Sequence, residues 1–445
     1  MSHWLTQVRG NALHLWLLTI GLGLCALTAA GPTLHARLGD WALIAIFAAG
    51  SIGAVYASRL GELGDQKSAL VLILVGAVGM RLALLFTEPT LSTDIYRYIW
   101  DGRVQAAGIN PYRYVPAAPE LAPLRDPAIW PLINRADYAV TIYPPVAQAL
   151  FLAITRVGES VVAMKLGLLV FEAVTVAVLV ALLKRLAMPP TRVAVYAWHP
   201  LAVWEIAGNG HVDAAMIALL MAGLLVFLDG RTLLAGVIAT LGALIKPTAL
   251  LALPVFWQPW NWKLPLAVVA TITVAYLSYL SVGSAVFGYL GTYIEEEGFS
   301  AGGGFRVVWL LEQLAGPLPH AGAVYAVLAA LILASLALAI GFRTDRSGGA
   351  AIRSLNWLLI AFLALSTPHY PWYFLVLVPF LAFTPTATGW TLTTASVVLY
   401  YVHDGAAVPG YGTRFVAFTL ATLAALAFDL WNERRKASCH VGETP

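Results

Sequence analysis

Apolar runs of about 20 residues, the length a helix needs to cross a bilayer, recur along most of this chain. The first lie at 11–30, 41–57 and 68–86, and a polar, aromatic and charged stretch, 87–145, follows. Apolar character returns at 146–157, 160–183, 193–207, 211–228, 264–282, 321–342, 355–367, 374–383, 391–402 and 415–431. The short run 146–157 suits a segment lying in the interface. The run 232–257 is different. Arg231 and Lys263 flank it, and Lys246-Pro247 interrupts its middle. Proline removes a helical N–H and lysine is costly in lipid. A broken hairpin facing a polar cavity satisfies both facts. The pattern predicts an all-α polytopic membrane protein, one domain over 1–445 with about 12–13 transmembrane helices. Short alternating strands of the barrel kind are not visible. The run 11–30 exceeds the h-region of a signal peptide, about 7–15 residues, and is expected to be a retained span.

Composition agrees. Of 445 residues, 60% are hydrophobic and 11% charged, and the mean hydropathy is +0.78. That excludes an ordinary soluble globular protein. The net charge of +3 is too small to suggest nucleic acid. Cys25 lies in an apolar run and Cys439 in the polar tail, so a disulfide between them is not expected. Lysine and arginine mark cytoplasmic ends: Arg9, Arg59, Lys67, Lys184, Arg185, Arg192, Arg231, Lys263, Arg343, Arg346, Arg353, Arg434, Arg435 and Lys436. This orientation puts 87–145 and a second segment, 283–306, outside, and the tail 432–445 inside.

The polar motifs then gather on the outer side. The stretch LSTDIYRYIWDGRVQAAGINPYRY opens with Ser92 and Thr93, which can cap a helix. Asp94 follows in the first turn, where the helix dipole favours an anion. Asp94, Arg97, Tyr98 and Asp101 share one face. Ile95, Ile99 and Ala106 give the other side an apolar surface, so an amphipathic helix at the membrane surface is expected. A solvated charged face is the competing reading. Gly108 and Asn110-Pro111 end the helix.

Other candidates carry two readings each. In GNGHVDA, Asn209, His211 and Asp213 either cap a helix or contact substrate; the two-residue spacing of His211 and Asp213 makes a poor chelate. Lys246 either holds a phosphate or snorkels to the interface. His369, in a proline- and aromatic-rich turn, either bonds a phosphate or sugar or is structural. Glu172, within a span, is expected to be a partnered structural acid. Glu295, Glu296 and Glu297 read as solvated charge, and Gly302, Gly303 and Gly304 as a mobile loop. No Walker loop, dinucleotide fingerprint, zinc cluster or nucleophile elbow is present. No cofactor is indicated, although carboxylates facing a phosphate can share a divalent metal.

The ordered set STDIYRYIWDGRVQAAGINPY, TIYPPVAQ, GNGHVDA, IKPTALL and STPHYPWYFLVLVP resembles the GT-C superfamily of integral-membrane glycosyltransferases. Within it, the chain is most like bacterial polyprenyl-phosphate-mannose-dependent mannosyltransferases and glycosyltransferase family 87. The likeness covers 68–383. It departs from many GT-C enzymes in having two spans, not one, before the span that enters the large loop. The resemblance implies a GT-C-like bundle, with 87–145 as external catalytic loop and Asp94 as catalytic base. It implies transfer of a hexose, mannose in that family, from a polyprenyl-phosphate donor to a lipid or glycan acceptor. The reaction would be inverting, at the periplasmic side of the plasma (inner) membrane. The chemistry is compatible. A polyprenyl phosphate is already a good leaving group, so one base suffices, unlike a glycosidase with two carboxylates. Cations must stabilise the departing phosphate. Arg103, Lys246 and His369 are the candidates for it. Asp101 is a second carboxylate beside Asp94, and Tyr143, Asn209, His211 and Asp213 are the candidates for sugar or acceptor contact. A transporter or flippase of a lipid-linked sugar or polymer is the alternative. Polar motifs gathered on one side favour chemistry there over alternating access.

Overall fold

The structure is a computed structural model that describes residues 2–300, 302–402 and 411–441, with side chains over 12–300, 302–400 and 412–435. The side chains of Arg9, Lys436 and Cys439, and the tail end 442–445, lie outside the described part. All regular structure among the described residues is helical.

Helices α1 (Ser2–Leu38), α2 (Asp40–Leu63) and α3 (Gln66–Leu85) pack as one group. Asp65 starts α3 by accepting from the Ser68 amide at 3.0 Å, an N-cap at the short turn after α2. The loop 87–145 then opens with α4 (Asp94–Ala106) and ends at α5 (Pro145–Val157), whose first-turn proline needs no donor. Ser160 caps α6 (Val161–Arg185), accepting from Ala163 N at 3.1 Å. Inside this bundle Arg81 donates twice to Glu172, at 3.1 and 2.5 Å. The expected partnered acid of α6 is therefore present, and its partner is on α3.

Among the described residues, seven helices are long and apolar enough to span a membrane, in the ranges Ala12–Leu38, Asp40–Leu63, Gln66–Leu85, Val161–Arg185, Ala321–Gly341, Gly348–Ser366 and Gly412–Arg435. One further pair, Lys263–Leu277 with Leu280–Glu296, is bent by 118°. The remaining apolar runs form shorter helices. The run 193–207 is no straight span. It breaks into turns at 190–193, 194–197 and 200–202 and a π-helical turn, Val203–Gly208. Pro200 interrupts it, and nearly all its side chains are buried in the bundle. Irregular backbone is tolerated at membrane depth where protein covers it.

Helices α7 (Asp213–Leu228) and α8 (Thr232–Ala243) run side by side. The chain turns at Lys246 and returns through Pro247–Ala252 and Leu253–Phe256, packed on α8. This is the expected broken hairpin, with Lys246 at its tip. The Leu244 carbonyl there accepts from Val146 and Ala147 at 3.1 and 3.2 Å. Orphan N–H groups at the start of α5 thereby dock the tip onto the end of the loop 87–145.

After α9 (Lys263–Leu277), α10 (Leu290–Glu296) and α11 (Arg306–Ala315) make up the second polar segment. Helices α12 (Ala321–Gly341), α13 (Gly348–Ser366), α14 (Ala387–Thr394) and α15 (Tyr411–Val441) complete the bundle. The basic helix ends meet one another. Arg192 pairs with Glu62 at 2.8 Å, Arg185 lies 3.8 Å from Asp229, and Arg343 donates to Val255 O at 2.9 Å. Helix α7 separates Asp229 from Asp213 by 16 residues, about 24 Å at the usual rise. Asp213 thus sits at the opposite end of the bundle from these arginines.

Two expectations change here. Helix α4 is not an amphipathic helix lying on a surface: Ile95 through Gly102 are all buried, its polar face included. It packs against α5 and against the loop turns at 119–124 and 130–132. The triplet Gly302–Gly304 is not a free loop either. The Gly304 carbonyl accepts from His369 Nε2 at 2.9 Å and from Thr367 Oγ1 at 3.0 Å.

Candidate active site

Asp94 begins α4 and is half-buried. Ser92 Oγ accepts from its amide at 3.2 Å; Thr93 makes no side-chain cap bond. Its carboxylate takes two neutral donors, Asn134 Nδ2 at 2.9 Å and the Tyr143 hydroxyl at 3.4 Å. Burial first, and then the charge of Asp94, push the Tyr143 phenol well above its ordinary value. It therefore stays a donor at any ordinary pH. Tyr143 is itself fixed by its edge-on contact with Tyr98, 5.0 Å between centroids, and by Tyr112, whose hydroxyl donates to Tyr143 O at 2.7 Å.

Lys246, at the hairpin tip, donates to Asp213 at 2.6 Å and lies 4.8 Å from the Tyr373 ring centre. Asp94 is within electrostatic reach of Lys246, and Asp94 and Asp213 both act on Tyr98. Asp94, Tyr143, Asp213, Lys246 and Tyr373 thus form one polar cluster. They come from four separate stretches of chain. An ammonium has three donors, and Asp213 accounts for one of them.

The second polar segment closes against this cluster. Tyr293 and Tyr373 share a hydroxyl contact at 3.2 Å. Arg135 of the loop 87–145 pairs with Glu296 at 2.8 Å and reaches the Tyr293 ring at 5.6 Å. Gly288, at φ +60, puts its Cα beside Thr141; a Cβ there would come 2.0 Å from Thr141 O. That carbonyl accepts from Tyr289 N at 3.2 Å. His369 holds Glu297 through Nδ1 at 3.0 Å, stacked on Phe299. Tyr370 donates to the same carboxylate at 2.9 Å. Glu297 is therefore not solvated charge, as the run of three glutamates suggests, although Glu295 and Glu296 are exposed. Burial pushes its carboxyl up, but the bonds from His369 and Tyr370 outweigh this and leave it below the usual range.

The other candidates lie elsewhere. Asp101 is 1% exposed. It accepts from Arg97 at 2.8 Å, Thr141 at 2.5 Å and Gln148 at 3.0 Å, and so ties α4 to the loop and to α5. Arg103 is nine residues beyond Asp94, about 13 Å along the helix. It pairs with Asp126 and with Glu159, the latter at 2.8 Å, and donates to Leu124 O at 3.1 Å. It is not brought to Lys246. Asn209 and His211 are 2% and 0% exposed. They lie beneath the cluster in a buried group with Glu205, not on its surface. His211 stacks on Trp372 at 4.4 Å. His369 braces the second segment. Among the described residues, no three His, Cys, Asp or Glu side chains group as metal ligands would.

Asn134, Arg135, Tyr373 and Glu205 are not among the candidates that the sequence singles out. Tyr373 lies in the same proline- and aromatic-rich motif as His369. Glu205 carries a signal, since a carboxylate inside the apolar run 193–207 needs a partner. Asn134 and Arg135 carry none beyond their place in the loop 87–145.

An all-α polytopic membrane bundle with a polar site at one end is the class that this fold defines. Residues 4–263 match the family described as alpha-(1->6)-mannopyranosyltransferase, N-terminal domain, and the chain belongs to that family. The match takes in Asp94, Tyr143, Asp213 and Lys246 and stops short of Tyr293, Glu297, His369 and Tyr373. A stretch of 185 residues is 30% identical to alpha-(1->6)-mannopyranosyltransferase A of Mycobacterium tuberculosis (strain ATCC 25618 / H37Rv). It covers 40% of this chain and 34% of that protein, so the chain spans about a third of the curated relative it matches. No solved structure matches. Family and motifs agree on a GT-C-like mannosyltransferase lineage.

Proposed function

We propose that this protein transfers a mannosyl group from a polyprenyl-phosphate-linked donor to a hydroxyl of a lipid or glycan acceptor. Asp94 takes the proton of that hydroxyl. The acceptor oxygen forms a bond to the anomeric carbon as the bond from that carbon to the phosphate oxygen breaks. The phosphate leaves with the electron pair, and Lys246 stabilises it with the donors that Asp213 does not use. A single displacement of this kind inverts the anomeric centre. Tyr143 and Asn134 orient the carboxylate of Asp94 through neutral donors, which suits a base acting late in bond breaking. Preorganised charge at the leaving group is the other requirement.

The observation that carries the reading is the placement of a half-buried carboxylate within reach of a lysine held at the tip of a membrane hairpin. The lysine and arginine bias supports a site on the outer face of the plasma membrane. The family match supports mannose as the sugar. The test is transfer of labelled mannose from polyprenyl phosphate to membrane acceptors by the purified chain. Labelled product from wild type, and transfer slower by about 10²–10⁴-fold from Asp94→Asn, is expected. Movement of the donor across the bilayer with no new glycosidic bond would make the protein a transporter instead.

A further inference from the structure

The turn 205–213 touches both halves of the proposed reaction site. At its end, Asp213 holds Lys246 at 2.6 Å. In its middle, Asn209 Oδ1 accepts from the amide of Leu91 at 3.1 Å, three residues before Asp94. Gly210, at φ +71, lies directly under α4: a Cβ there would come 2.3 Å from Ile95 Cδ1. The start of α4 is thus seated on this turn at two points.

Glu205 decides how Asn209 faces Leu91. It is wholly buried. It accepts from the Tyr400 hydroxyl and from Asn209 Nδ2, the latter at 3.3 Å, and it lies 3.1 Å from His211 Nε2. A carboxylate offers only acceptors. The NH2 end of the Asn209 amide must therefore turn to Glu205, and its carbonyl end to the Leu91 N–H. A flipped amide would set oxygen against carboxylate and N–H against N–H. Nothing in the transfer chemistry above uses Glu205.

We propose that Glu205 is a positioning residue for mannosyl transfer: through the sense it imposes on Asn209, it fixes the start of α4 and so sets Asp94 against Lys246. This rests on the transfer reading above. Misplacing a reacting group by about 1 Å can cost on the order of 100-fold.

The test uses the full chain in lipid nanodiscs, with Glu205→Gln, Asn209→Asp and the double exchange. Glu205→Gln frees the amide to flip. Asn209→Asp sets two carboxylates face to face. The double exchange reverses donor and acceptor and restores both bonds. Each single variant is expected to lose about 10–100-fold in kcat with donor affinity unchanged, and the double variant to recover most of it. Amide hydrogen exchange of the segment around Leu91 should rise in the singles and return in the double. Wild-type kcat in the singles, a double variant no better than they are, or a loss carried by donor affinity would overturn the proposal. So would unchanged exchange at Leu91 in the singles. Should Glu205→Gln not fold, Asn209→Ser carries the same expectation, since it removes both contacts and adds no charge. An inactive wild type overturns the transfer reading, whereas the exchange pattern still decides the relay from Glu205 to Leu91.

Discussion

Helix α4 presents two carboxylates, Asp94 at its start and Asp101 near its middle, seven residues apart on one face and in opposite surroundings. At Asp101, two acceptor oxygens are filled by a guanidinium, a hydroxyl and an amide, and water is excluded. At Asp94, the two donors are neutral, the group is half-buried, and a lysine lies within electrostatic reach. A carboxylate closed by a cation serves the fold. One oriented by neutral donors and left accessible can exchange a proton. Helical spacing puts the two on the same stripe, but what covers each carboxylate decides its use.

Replacing each in turn should separate these roles. The largest effect is expected from Asp94→Asn. It keeps the shape and cannot take the proton, so turnover should fall about 10²–10⁴-fold, the range for a positioned base. Thermal stability in detergent should stay near wild type. Transfer at the wild-type rate would remove Asp94 from the chemistry. Asp101→Asn should do the reverse. It leaves Arg97, 5% exposed, without its buried partner, a loss of about 3–5 kcal/mol when one member of such a pair is removed. The melting temperature should drop while the remaining folded protein still transfers sugar. A fully stable but inactive Asp101→Asn would move the base two turns along the helix.

Much of this was legible in the sequence, and the limits have physical causes. Hydropathy found the bundle, and Lys246-Pro247 in an apolar run gave the hairpin. Ordered polar motifs gave Asp94, Asp213 and Lys246, but nothing local pairs Asp213 with a lysine on the next hairpin. Such contacts depend on how helices pack. The same holds for Arg103, whose partners Asp126 and Glu159 are distant in sequence. The run 193–207 reads as a span because hydropathy counts apolar side chains and not whether lipid or protein covers them. Asn209 and His211 looked like site residues because polar groups at a helix start serve equally as substrate contacts and as buried struts. In the structure both are buried beside Glu205.

Lys246 sharpens the comparison from the other side, since Asp94 is useful only if a cation faces the leaving phosphate. Lys246→Met keeps the apolar stem and removes the charge. Donor affinity should fall by about 1.5–3 kcal/mol, the scale of a hydrogen bond to a charged group. Binding of labelled donor to the purified variant measures it. An unchanged affinity would leave Lys246 as a partner for Asp213 alone.

Glu297 is a third carboxylate, intermediate between the two on α4, and the smallest effect is expected there. It faces His369, Tyr370 and Arg135, the last at 3.7 Å. Its folded-state value lies below its ordinary 4.5. A depressed carboxyl adds stability that is fully present above the unfolded value and is lost as pH falls through the folded one. The docking of the second polar segment should therefore hold from neutral pH down to about 4.5 and weaken below it. Hydrogen exchange across 289–305, corrected for the intrinsic pH dependence, reads this locally. In wild type, protection should decline only below that point. In Glu297→Gln it should already be lower at neutral pH and should change little on acidification, because the titrating group is gone. A decline of the same size in both proteins would place the acid-sensitive contact elsewhere in the segment, with Glu296 and its pairing to Arg135 the next to replace.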